Sequence, residues 1–259
     1  MKNSFDKNNV VLRFPVISDL HIMGSGQETS KKLQKVYEIC KREINPNAIM
    51  FAGDITDFGL REQIEEFKNI TCCNFDLEKT KLFFCIGNHE LYNNEILKAP
   101  LRVSEDFKEI FGDVVYYGAT TDEIKASLHH ASICGFDFIA MNAYKYSGGV
   151  DYRDEDIFWL EETLKKITDK NPNKPIFICG HAMIIGTNWG SDYGDYWAGS
   201  KLYNVFKKYP QVIYFAGHLH FPLQNEKTIW QKEFTTCGTS SIYFSSLEDK
   251  NEENLQYND

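Results

Sequence analysis

Five short apolar runs punctuate the chain, and each breaks off at a polar turn. Residues 10–18 lead into Asp19-Leu20-His21, residues 48–52 into Gly53-Asp54, and residues 82–86 into Gly87-Asn88-His89-Glu90. Residues 175–179 lead into Gly180-His181, and residues 212–216 into Gly217-His218-Leu219-His220. Short runs rich in Ile, Val and Phe suit strands buried on both faces, as in a parallel sheet covered by helices. Pro15 fits the first run poorly, because proline offers no N–H to a ladder, so that strand is expected to bend or to start late.

Between the runs the apolar spacing turns helical. Residues 29–44 place Leu33, Val36, Ile39, Cys40 and Ile44 on one face, and Asn45-Pro46 stops the pattern. Residues 61–70, 104–111 and 200–209 are shorter helical candidates. Residues 154–167 bring Ile157, Leu160, Leu164 and Ile167 into register, with acids first and lysines near the end, the order that a helix dipole favours. Strands alternating with helices indicate βαβ units and an α/β fold. A further strand is expected over 133–143 and a strand-rich stretch over 228–244. Residues 186–199 (GTNWGSDYGDYWAG) have no period and read as a loop. The aromatic side chains from Trp189 to Trp197 either line a pocket or pack over a sheet edge. Residues 1–247 are expected to form one domain and 248–259 a polar, acidic tail.

Composition fits that picture and narrows the partners. The 259 residues are 42% hydrophobic and 25% charged, enough apolar material for a sizeable core. The formal net charge is −9 with no basic stripe, which disfavours binding to a nucleic-acid backbone as the main activity. The N-terminus has no apolar run of the signal-peptide kind, and no stretch approaches the roughly 20 apolar residues of a membrane span. The cysteines number seven, and Cys72-Cys73 lack CxxC spacing. This reads as a reducing, cytoplasmic compartment without a disulfide framework.

The chemistry lies at the run ends, which hold five of the seven histidines. In open α/β sheets, ligand sites assemble at the carboxyl ends of the strands. Neighbouring strands would bring Asp19, His21, Asp54, Asn88, His89, His181, His218 and His220 to one place. Imidazole and carboxylate together suit Mn, Fe and Zn better than Ca or Mg. No cysteine stands at these ends, which argues against a structural thiolate zinc site. The preceding Gly53, Gly87, Gly180 and Gly217 would allow sharp turns or close approach. Each residue taken singly has a plainer reading: Asp19 or Asp54 as a helix cap, Asn88 as a turn residue, His181 as a hydrogen-bonded structural histidine. Glu90 reads as a site-edge group or as a solvated acid at a helix start. His129 and His130 belong to no motif and read as surface or core histidines.

Asp19-Leu20-His21, Gly53-Asp54-Ile55-Thr56-Asp57, Gly87-Asn88-His89-Glu90, Gly180-His181 and Gly217-His218-Leu219-His220 follow one another as in the calcineurin-like metallophosphoesterase family, which this chain resembles over residues 19–220. The resemblance implies a four-layer αββα sandwich of two mixed β-sheets flanked by helices. It implies two adjacent metal ions, divalent or trivalent: manganese, iron or both, with zinc as a further option. One ion would take Asp19, His21 and His220; the other would take Asn88, His181 and His218; Asp54 would bridge them. His89 would act on the phosphate and leaving group, and Asp57 would orient His89 or a ligand.

A cation pair lowers the pKa of a bound water and clamps the phosphate oxygens of an in-line displacement, which a phosphoester, already anionic, otherwise resists. Neutral Asn88 helps to leave such a site net positive within an acidic protein. Asp57 is followed by Phe58-Gly59, whereas the family's protein serine/threonine phosphatases carry Asp-Arg-Gly, so that branch is disfavoured. The expectation is a phosphodiesterase acting on a small-molecule ester, with a phosphomonoesterase as the alternative. A non-catalytic metal-binding scaffold is the reading from another class, and it fits less well because neither His89 nor any ligand is missing.

Overall fold

The computed structural model describes residues 9–91, 103–112, 115–117, 119–120, 125–126, 128–143, 150–192 and 199–245. The expected tail and the domain boundary at 247 lie outside the described residues, as do residues 193–198 of the glycine- and aromatic-rich loop.

The first βα unit opens with β1 (Val16–Ile17), which starts late, directly after Pro15. The Pro15 carbonyl still accepts from the Met50 N–H (3.0 Å), so proline limits the strand without freeing it from its neighbour. Helix α1 (Glu28–Ile39) ends in a π-helical turn over Cys40–Ile44. Asn45 stops it in the left-handed region (φ 49°), its N–H donating back to the Cys40 carbonyl. Strand β2 (Ala48–Ala52), helix α2 (Arg61–Asn74), strand β3 (Lys81–Cys85), helix α3 (Val103–Phe111) and strand β4 (Val115–Tyr117) complete this half. The sheet has the order β1-β2-β3-β4, and every pairing within it is parallel.

Strands β5 (Ala119–Thr120) and β6 (Lys125–Ala126) form a small antiparallel pair. The second half contains β7 (Leu128–Ile133), β8 (Phe136–Met141), α4 (Asp154–Lys170), β9 (Ile176–Gly180), α5 (Gly199–Phe206), β10 (Val212–Ala216), β11 (Ile229–Gln231) and β12 (Thr235–Gly238). Its sheet has the order β11-β12-β10-β9-β8-β7 and is mixed: antiparallel at the two edge pairs and parallel between them.

The strand expected over 133–143 is β8, and it is one arm of a hairpin whose other arm, β7, was not expected. Cys134 and Gly135 both have positive φ (50° and 77°), as a tight two-residue hairpin turn requires. Cys-Gly lacks the asparagine or aspartate that usually marks such a turn, and His129-His130 interrupt the apolar pattern of β7. His130 pairs with Asp137 across the hairpin (2.8 Å), and His129 packs on Phe83 of the facing sheet (5.7 Å between centroids).

Side-chain alternation builds the four layers. In β2, Ile49 and Phe51 join the core shared with α1, α2 and α3, whereas Ala48, Met50 and Ala52 face the other sheet. In β9, Ile176 and Ile178 pack with Leu160 and Leu164 of α4 and Leu202 of α5, whereas Cys179 faces β3. The result is helices, sheet, sheet, helices. Phe83 is fully buried between the sheets against Phe138 (5.7 Å). Phe83→Ala should therefore lower stability by about 3–5 kcal/mol, read from urea unfolding; a loss below about 1 kcal/mol would contradict the sandwich packing.

Candidate metal centre

The parallel strands β1, β2, β3, β9 and β10 end on the same side, and the residues that follow them meet there. Five of these residues hold the left-handed backbone region: Asp19 (φ 52°), His21 (45°), Asp54 (49°), His218 (76°) and His220 (58°). Each such residue costs roughly 1–2 kcal/mol, a strain that concentrates where side chains must be aimed. Backbone hydrogen bonds between the first two loops secure it: the Asp19 N–H donates to the Gly53 carbonyl (3.1 Å), and Leu20 and His21 donate to the Asp54 carbonyl (2.8 and 3.1 Å). Gly53 has φ 85°, and a Cβ there would strike the His181 ring at 2.5 Å. A Cβ on Gly87 would strike the Asp54 carboxylate. Glycine at these two points lets the backbone pass beside two side chains of the site.

Two donor groups form around Asp54. In the first, His220 Nε2 lies 3.0 Å from Asp19 Oδ1 and 3.3 Å from His21 Nε2. In the second, Asn88 Oδ1 lies 3.0 Å from both His181 Nε2 and His218 Nδ1. Asp54 Oδ2 is 3.1 Å from His181 Nε2 and 3.9 Å from His21 Nε2, so a single oxygen faces both groups. The ligand atoms of Asp19, His21 and His220 all lie within 4.8 Å of one another, as do those of Asp54, His181 and His218. Nitrogen and oxygen donors converging at such spacing, with no thiolate among them, fit borderline transition-metal ions.

Asp57 and His89 stand beside the first group. Asp57 Oδ1 is 3.3 Å from His21 Nδ1 and 3.4 Å from His89 Nδ1. The His89 Nδ1–H donates to the Asp57 carbonyl (2.9 Å), and Nε2 points toward Asp54 Oδ2 at 4.0 Å. His21, Asp57 and His89 also satisfy the spacing of a metal triad. All nine residues singled out in the sequence thus stand in one contiguous cluster.

Electrostatics follow from burial opposed by close neighbours. Burial alone would keep Asp54 and Asp19 protonated. Instead both carboxyls are held below the ordinary range, Asp54 mainly by His181 and then His89 and His21, Asp19 by His220 and His181. Asp57 resists burial in the same way and falls to about 2 through hydrogen bonds from His21 and His89. Burial pulls His181 down, but Asp54 and Asp19 overcome it and raise the imidazole to about 9. Burial and the neighbouring His181 together push His218 down to about 4. His181 therefore holds a proton at neutral pH where a cation would bind, so metal uptake must release it and should strengthen as pH rises.

Glu90 is neither a site-edge group nor a solvated helix-start acid. It is completely buried and ties two loops together. Its Oε2 accepts from the Asp54 N–H (3.1 Å) and the Gly87 N–H (2.7 Å), and its Oε1 accepts from the Thr56 N–H (2.7 Å) and hydroxyl (3.0 Å). Burial and the Asp54 charge raise its pKa, opposed by those N–H groups of Thr56 and Gly87. The loop after His181 packs locally: Trp189 stacks on Phe221 (4.3 Å), one residue past His220. A cavity of about 370 Å³ opens beside it, lined by Trp189, Trp230, Asp192 and Lys227 among others and by none of the candidate ligands.

Residues 12–222 match the calcineurin-like phosphoesterase family, and the chain belongs to it. A relative from Arcobacter nitrofigilis, named as a probable glycerophosphodiester phosphodiesterase, GpdQ, is 26% identical over 248 residues, which covers 90% of this chain and 79% of that protein. Family membership places the chain among phosphoesterase hydrolases. No helix among the described residues is long and apolar enough to cross a membrane.

The Glu90 clamp can be tested directly. Glu90→Gln turns one acceptor into an N–H₂ group facing backbone N–H donors and should destabilise the fold by about 1–3 kcal/mol. The loosened loops should also retain less metal. Unchanged urea midpoint and unchanged metal content after desalting would contradict the clamp.

Proposed function

We propose that this chain hydrolyses small-molecule phosphodiesters at a dinuclear metal centre, residues 1–247 forming the catalytic domain. The observation that carries the proposal is Asp54 Oδ2, one oxygen within reach of His21 on one side and His181 on the other. Asp19, His21 and His220 would hold one ion and Asn88, His181 and His218 the second, with Asp54 shared. Manganese and iron suit this donor set, with zinc next. When bound, such a pair activates a water and neutralises the phosphate oxygens during in-line displacement.

The chain's own groups supply orientation and a proton. Asp57 accepts from His21 Nδ1, which leaves His21 Nε2 facing the site with its lone pair. The Asp57 carbonyl fixes the His89 ring through Nδ1. Burial depresses the His89 pKa, but Asp57 and Asp54 more than reverse this and raise it. His89 Nε2–H is then available to protonate the departing oxygen, which an alkoxide leaving group needs. A diester is favoured over a monoester because the relative carries a phosphodiesterase name. The retained His89, which is not among the ligands assigned to either ion, favours catalysis over a binding scaffold.

Cleavage of bis(p-nitrophenyl) phosphate by manganese-loaded protein, abolished by chelation, is the expected activity. With a dialkyl phosphodiester, whose departing alkoxide needs that proton, His89→Asn should lower kcat by roughly 10²–10⁴-fold while metal content stays near normal. A variant with full turnover, or one that simply loses its metal, would contradict the assigned role.

A further inference from the structure

The segment after β12 lies beyond the residues that match the family, yet it folds back onto the metal centre. Thr239 anchors it, the N–H and hydroxyl both donating to the Ala216 carbonyl (2.9 Å each). The Ser18 hydroxyl oxygen lies 2.6 Å from the Thr239 hydroxyl and 2.8 Å from the Ser240 carbonyl. Further on, the Ser241 hydroxyl and the Tyr243 N–H both donate to the Asp19 carbonyl (3.0 and 3.2 Å). Lys32 closes the segment from outside by donating to the Tyr243 carbonyl (2.8 Å).

These bonds fix the backbone of Asp19 and present two aromatic rings beside it. Tyr243 lies on His21 (5.1 Å between centroids) and Phe244 on His220 (4.4 Å), and the two aromatic rings meet edge to face at 4.9 Å. Phe244 is 51% exposed. A rigidly held, half-exposed aromatic pair beside a charged centre is apolar area left for a ligand.

We infer that Tyr243 and Phe244 form the wall that receives the non-departing arm of the diester and set a preference for a planar, uncharged arm. The inference rests on the phosphodiesterase reading. His89, the proton donor, and Tyr243 both contact His21 (4.3 and 5.1 Å between centroids), whereas Phe244 sits on His220, so Phe244 is the part of the wall set apart from the departing oxygen and takes the arm that is not expelled. Neither ring carries a charge that would favour a second phosphate or a carboxylate there.

The test compares two diesters with the same p-nitrophenolate leaving group: bis(p-nitrophenyl) phosphate and methyl p-nitrophenyl phosphate. The ratio of their kcat/KM values isolates the arm. Phe244→Ala should lower the aryl-to-methyl ratio about tenfold, chiefly through KM, with metal content unchanged. Phe244→Trp should retain the ratio, and Tyr243→Ala should lower it in the same direction. An unchanged ratio in Phe244→Ala overturns the wall, as does equal loss of both substrates together with lost metal. Wild-type protein that cleaves neither diester overturns the phosphodiesterase reading, and the wall with it.

Discussion

Asp54 is buried, ionised and surrounded by imidazoles, and the geometry of the centre follows from how that carboxylate is held. One oxygen accepts from the His89 N–H, and the other faces His181 and His21. A buried carboxylate is tolerable only with opposite charge and hydrogen bonds close by. The fold supplies both by ending five parallel strands on one side and turning the chain sharply at each. The left-handed residues at those turns are strained, and the two facing sheets are what keep them in place. Packing between the sheets and aim at the centre are therefore a single design: a shift of β2 against β9 would move Asp54 away from His181.

Much of this was legible in the sequence because the signals were local. Each donor stands within a few residues of an apolar run, so strand, turn and ligand are read together. The periodicity of α4 was equally visible, although α2 and α4 run a few residues beyond the expected ends, and helix ends carry weak signals. The late start of β1 was written in Pro15.

What was not legible depends on contacts distant in sequence. Glu90 follows a motif histidine and could have faced solvent; its partners Asp54 and Thr56 are more than 30 positions earlier. Strand β7 was hidden because two histidines break its apolar pattern, and their roles lie across the hairpin and the sheet interface. The aromatic pair Tyr243-Phe244 sits in a stretch read only as strand-rich. Its place at the centre is set by hydrogen bonds to Ser18 and Asp19, more than 200 residues away.

The proposed centre turns on one carboxylate serving two cation sites, and metal stoichiometry tests that most directly. Calorimetric titration of metal-free protein with manganese, checked by elemental analysis after desalting, should give two ions per chain. Asp54→Ala should weaken both sites together, whereas His220→Ala should weaken one far more than the other. Saturation at a single ion, or an Asp54→Ala chain that still holds two ions with unchanged affinity, would contradict a shared bridging ligand.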